Sequence, residues 1–312
     1  MNHTKGMQTM FCMTQYHCRQ LFSSQRWLVA LGMDVFLAVA VVISLKTRVG
    51  WILTAWHIAV PANIWDVPVG VLCSDEVAVF TLVMAFVFLA GDALLRDERT
   101  GRLPMLISRT HNRAAWFVSL LPALLLAAVV FVAAAILISL GVALLFLPAG
   151  KLFSPFLTNN TSHVASLRSY YLPNMPPSPL LFFLGVVGYL VPALCGMALM
   201  SVVISLWWQR AIAVFAPVVW LLMDSLVKNK MLAFWPANAR FMFSYQFVLT
   251  YHWQWTKDPL TAALYPFPVA ASVIAFCILC VILSAAGYFS VQRVDLTQGE
   301  SCLLYTSPSP RD

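Results

Sequence analysis

Residues 114–150, between Arg113 and Lys151, contain no charged side chain. A segment that long and that oily has few places to fold. In a bilayer its backbone N–H and C=O groups must be satisfied within the segment, which makes it a helix. The rest of the chain agrees. It is 61% hydrophobic and 10% charged, with a mean hydropathy of +0.82, whereas a soluble domain is about 45–50% apolar and about 25% charged. The expected class is an all-α polytopic membrane protein.

The uncharged run is long for one helix and short for a hairpin of two. It reads as a single tilted span over about 116–146. Five further runs approach the roughly 20 apolar residues that a crossing needs. They are about 27–45, interrupted by Asp34; 77–95, with Asp92 near its end; 180–208; the short run 211–227, which carries Asp224; and 264–290. Six spans in one domain, residues 1–301, is therefore the expected layout. Residues 302–312, CLLYTSPSPRD, read as a translated sequencing adapter and are set aside. Pro122, Pro192 and Pro217 fall inside spans, where each removes a backbone donor and favours a kink.

Six spans put both termini on one side, together with 93–113 and 209–210. That side holds ten Lys and Arg in 59 residues, against eight in 100 for the loops 46–76, 147–179 and 228–263. The excess of cations marks the cytoplasm, so both termini are expected there. With the first 26 residues polar, no cleavable leader is expected, and the first span is expected to serve as its own anchor. Of the outer loops, 147–179 reads as a polar surface excursion. Residues 228–263 are crowded with aromatics, including Phe234, Trp235, Phe243, Phe247, Trp253 and Trp255. Rings of this kind sit well at the headgroup level, and short interfacial or re-entrant helices are expected there.

The motifs of soluble catalysis are missing. There is no GxxxxGK[ST], HExxH or GxSxG, and the histidines are scattered. Cys277 and Cys280 form the sole CxxC, inside an apolar run without a nearby His, and read as packing residues. No cofactor and no metal are expected. The modest formal charge of +7 is not strung along an aromatic-interleaved face, which argues against nucleic acid. The carboxylate pairs Asp75–Glu76 and Asp97–Glu98 flank membrane segments and are expected as solvated ends. Asp34 is different: it lies a third of the way into a span, where acids usually face a bundle interior, a water-filled path or a partner.

The most charged stretch is LLRDERTGRLPMLISRTHNRAAW, residues 94–116, with Arg96, Arg99, Arg102, Arg109 and Arg113 around an apolar patch. Topology accounts for the arginines but not for the patch. Pro104 suits a first helical turn; Leu103, Leu106 and Ile107 then share one side, and Asn112 caps the next helix. The result is a short amphipathic helix on the cytoplasmic face, able to dock in a groove of a soluble partner.

Glu98, Gly101, LPMLIS at 103–108 and Arg113 resemble the coupling segment of ABC-2 type permease subunits, although Thr110, His111 and Asn112 depart from that family's pattern. The likeness in layout covers most of residues 10–300. It implies an N-terminal interfacial helix within QYHCRQLFSSQRW, with Arg19 and Arg26 at the headgroups, six spans and a coupling helix. It also implies a non-catalytic chain that exports a substrate using ATP hydrolysed by a separate ATPase subunit. Glu98, Gly101, Leu103, Leu106, Ile107, Arg109 and Arg113 would meet that ATPase. A second permease subunit, of the same or another chain, would complete a pathway near Asp34 and Trp220, and membrane lipid would contact the rest. Two other readings remain open. One is a membrane-bound immunity or peptide-binding protein that does not transport. The other is a membrane enzyme, which would need polar residues clustered at one depth, and this chain has few.

Overall fold

A computed structural model describes residues 2–49, 62–74, 76–93, 96–97, 113–154, 178–208, 215–234, 242–249, 252 and 268–293. The described residues form helices and connecting turns, with no strand among them. In chain order the helices are α1 (Asn2–Phe22), α2 (Arg26–Ser44), α3 (Asp66–Val69), α4 (Glu76–Ala90), α5 (Arg113–Phe146), α6 (Pro179–Trp208), α7 (Ala216–Phe234), α8 (Phe243–Phe247) and α9 (Val269–Arg293). Wider π-type turns at Leu45–Val49 and Gly70–Ser74 extend α2 and α3.

Four helical stretches are long and apolar enough to cross a membrane: Arg26–Thr47, Arg113–Phe146, Pro179–Trp208 and Val269–Arg293. A fifth crossing results if Asp66–Cys73 and Val77–Ala90, which meet at 70°, are counted as one broken span. The run expected at 211–227 yields only a short apolar helical piece, Ala216–Val227. Among the described residues the count is thus four or five rather than the six expected.

Helix α5 shows how such a bundle is built. Small residues line its inner face, including Ala123, Ala127, Ala128, Ala135, Ser139 and Ala143, all buried. Its outer face carries exposed Leu125, Leu126, Val129, Leu137, Leu144 and Leu145. Lipid is as apolar as leucine, so burying oil does not drive helices together there. Close backbone approach and van der Waals contact do, and small residues permit both. The most extensive helix contact is α6 with α9, and α5 packs on α1, α2, α6 and α9. Gly287 of α9 lies directly against the fully buried ring of Phe117 on α5.

Residues 62–74 depart from the outer loop expected over 46–76. Asn63 Oδ1 accepts from the Trp65 N–H (2.9 Å), and an Asp66 carboxyl oxygen accepts from the Asn63 N–H (2.7 Å). These bonds tie the turn that leads into α3, and Pro68 fits that helix's first turn. Val67, Val69, Val71, Leu72 and Cys73 are then buried in the bundle. The stretch 147–154 closes over it: Trp65 Nε1 donates to Gly150 O (2.7 Å), Asn63 Nδ2 to Leu152 O (2.8 Å) and Ser154 Oγ to Asp66 Oδ1 (2.7 Å).

Candidate coupling site

The end of α4, helix α1 and the start of α5 meet at two acids. Asp92 follows α4, and Arg96 follows one turn later. One Asp92 carboxyl oxygen takes the Arg96 guanidinium at 2.8 Å and that of Arg26, at the start of α2, at 2.5 Å. Arg26 also donates to Phe88 O (3.1 Å) and lies over the Phe88 ring. Arg96 donates to Leu89 O (3.2 Å) and to Gln20 O of α1 (3.3 Å). Asp92 is therefore ion-paired rather than solvated, and one acid pins two cations that sit far apart in the chain.

Asp97 is more deeply placed. It is fully buried, which corrects the expectation of a solvated end. Its Oδ1 accepts from Tyr16 Oη (3.0 Å) and from Gln20 Nε2 (2.6 Å), both on α1. Its Oδ2 accepts from the indole of Trp116 (3.0 Å), which is buried on α5. Tyr16 and Gln20 stand at i and i+4 and so share a face of α1. Met13, His17 and Leu21 form the adjoining stripe and are buried. The His17 ring meets Trp116 edge to face at 5.6 Å. Burial pushes the His17 pKa below the ordinary 6.5. Asp97 and the Trp116 backbone favour the charged ring and offset only part of that shift. Among the described residues neither ring nitrogen has a partner in hydrogen-bond geometry.

The turn between α1 and α2 is also tied. Trp27 Nε1 donates to Leu21 O (2.9 Å), and the Phe22 and Trp27 rings stack at 5.5 Å. Helix α1 packs on α5 more extensively than α2 does, so it runs along α5 instead of touching it at one crossing.

Of the residues expected to couple to a partner, Arg113 opens α5, beside this junction. Glu98, Gly101, Leu103, Leu106, Ile107 and Arg109, with the short helix and the Asn112 cap, lie outside the described residues, as do residues 302–312. The two residues expected on a pathway lie on different helices, α2 and α7. Asp34 faces inward from α2, fully buried, with no hydrogen-bond partner for either oxygen among the described residues. Trp220 is on α7 and packs against Phe243 of α8 at 4.8 Å.

Part of the aromatic stretch 228–263 is described, and it folds inward. Phe243, Phe247 and Phe276 form a cluster with Tyr189. The Asp224 carboxyl accepts from the Ser244 N–H (2.6 Å) at the start of α8, so it caps that turn rather than reaching water. Tyr189 Oη donates to Gln246 O. His252 Nδ1 lies 3.1 Å from Leu249 O, and Nε2 lies 2.7 Å from Ser272 Oγ on α9. A carbonyl only accepts, so Nδ1 carries the proton and the neutral ring takes the Ser272 hydroxyl at Nε2.

Cys280 Sγ donates to Pro192 O (3.3 Å) and Cys277 is exposed; both are free thiols. Among the described residues no three His, Cys, Asp or Glu side chains gather as metal ligands would.

Tyr16, Gln20 and Trp116 carry no signal in the sequence that marks them as partners of Asp97. The available signal was the amphipathic spacing of 13, 16, 17, 20 and 21, which predicts a helix face that needs a partner but does not name it. Compared with known proteins, residues 27–297 match a family model described as protein of unknown function (DUF2705). No curated protein and no solved structure matches the chain.

Proposed function

As the chain belongs to the DUF2705 family, we propose that it is the transmembrane subunit of an ABC-2 type exporter. In this reading it has six crossings and cytoplasmic termini, and a separate subunit hydrolyses the ATP. The chain itself performs no covalent step. The ATPase grips residues 98–113, and a second permease subunit completes the path.

One observation carries this reading. The chain on both sides of 98–112 is anchored: Asp97 and Trp116 are bonded to each other, and Asp97 is bonded to α1. A push on the intervening segment would move α1, α4 and α5 together instead of being lost in a loose connection. The arginine-rich composition of 96–113, the apolar patch within it and the separate helix α1 ahead of the first crossing support the same arrangement.

The test is co-purification. The tagged full chain, solubilised in mild detergent, is expected to bring down a P-loop ATPase. The pair Leu106→Glu with Arg109→Glu is expected to release it while leaving the chain's melting temperature unchanged. Retention of the ATPase by that pair removes the coupling role, and recovery of the wild-type chain without any ATPase favours the immunity reading.

A further inference from the structure

We propose that Trp220, Asp224 and Phe243, where α7 meets α8, hold the primary ammonium of a phospholipid head group. The proposal concerns the lipid beside α7 and rests on the membrane setting of that helix, not on an ATPase. Two contacts bring the parts together. The Trp220 and Phe243 rings lie 4.8 Å apart with their planes at 55°. One turn further along α7, Asp224 Oδ2 accepts from the N–H of Ser244, the residue after Phe243 (2.6 Å). Trp220 and Asp224 stand at i and i+4 and so share a face of the helix. Two rings and an acid are thus gathered within about one helical turn.

The acid is only half used. Oδ2 holds the turn into α8, and Oδ1 has no hydrogen-bond partner among the described residues. Unlike the oxygens of Asp34, Oδ1 is not sealed inside the bundle. Asp224 and Phe243 are half-buried and Trp220 is 38% exposed, so the cluster is open from outside. Among the described residues no Lys or Arg pairs with Asp224, the ion pairs there being those of Asp92. A metal ion would call for further ligands, and no three His, Cys, Asp or Glu side chains gather among the described residues.

The surroundings select the ligand. Leu222, Met223, Leu226 and Val227 are exposed on the same helix, and its apolar piece ends at Val227, three residues or about 4.5 Å beyond Asp224. In a bilayer this sets the acid at the edge of the hydrocarbon, level with the head groups. An acid there is costly unless it is paired, and a head-group ammonium supplies the charge. Aromatic faces attract the same charge. A primary ammonium can donate an N–H to Oδ1, which a trimethylammonium lacks. Ser244, beside that contact, is fully buried, and its hydroxyl has no partner among the described residues. It offers a second acceptor for a group with several N–H bonds.

Native mass spectrometry of the full chain in mild detergent, titrated with phosphatidylethanolamine or phosphatidylcholine of matched acyl chains, resolves single binding events. The first ethanolamine lipid should bind about fivefold tighter than the choline lipid. Asp224→Asn keeps an oxygen for the Ser244 N–H but removes the charge, and should abolish the preference. Trp220→Leu should reduce it about threefold. Lys228 stands one turn beyond Asp224 on α7, and Lys228→Gln should leave the preference unchanged. Equal binding of the two lipids by the wild-type chain, or a preference that survives in folded Asp224→Asn, would overturn the proposal. So would a preference that appears only with Lys228→Gln, since the lysine would then be the acid's partner. If Asp224→Asn does not fold, Trp220→Leu decides by the same comparison. Soluble phosphoethanolamine should not displace the lipid; displacement at equal concentration would assign the site to a soluble amine and overturn the lipid assignment. None of these results bears on ATPase recruitment, so the two readings fail separately.

Discussion

Replacing Asp97 with Ala removes the acceptor that joins α1 to α5, and the cost follows from the burial of its three donors. The Trp116 indole is fully buried on α5, so its N–H cannot find water. A donor stranded that way costs about 1–3 kcal/mol. Tyr16 and Gln20 are half-buried and can turn toward solvent. They lose only the net value of a hydrogen bond, about 1 kcal/mol each. The sum is about 3–5 kcal/mol, the upper end requiring no relaxation.

Even about 3 kcal/mol shifts an equilibrium on the order of a hundredfold. Amide hydrogen exchange across residues 10–22 reads this directly, because local opening sets the rate when reclosing is fast. The Ala variant should exchange on the order of a hundredfold faster there and unchanged in α6 and α9. Arg19→Ala, at an exposed position of the same helix, is the control and should leave exchange within about threefold. Tyr16→Phe should account for about 1 kcal/mol and be non-additive with the Asp97 change, because both remove the same bond. Exchange in α1 that stays within about threefold of wild type in the Ala variant would refute the reasoning, since the junction would then hold without its acceptor.

His17 makes the same docking depend on pH. Its folded pKa is lowered from 6.5, chiefly by burial, so the undocked helix binds a proton first as pH falls. Docking should be complete above about pH 6.5 and weaken as pH falls below it toward the folded value; His17→Gln should flatten that part of the profile, and a profile that keeps its slope would assign it elsewhere. On α9, Gly287→Ala should push a methyl group into the Phe117 ring and lower stability by about 1–3 kcal/mol. Adding Phe117→Leu should recover part of the loss in a thermal melt, and no recovery would mean that the two residues do not share the space.

How much of this could be read from the residues depends on range. Crossing helices are written locally. The charge-free run appears as α5 over Arg113–Phe146, and the expected 180–208 span as Pro179–Trp208. The turn into the buried helix at 66–69 was written locally too, in Asn63 and Asp66, whose side chains bond the backbone there. Alternating Val67, Val69 and Val71 around Pro68 and Gly70 obscured it, since valines and a proline argue against a helix. The Asp97 junction was not legible because its partners on α1 are 81 and 77 residues away in sequence. Nothing local distinguishes an acid that will be covered by a distant helix from one that stays wet. Asp34 was singled out by its place in an apolar run, and its burial agrees with that.

The length of α5 has a consequence for how the chain is made. Its 34 residues extend about 51 Å, while a crossing of about 30 Å inclined by as much as 40° uses about 39 Å. Two or so turns are left over, and α1 lies along the early turns of that helix. The ribosome releases α1 long before α5 exists, so α1 must wait for its binding strip to emerge, and the order of synthesis thereby becomes part of the folding problem.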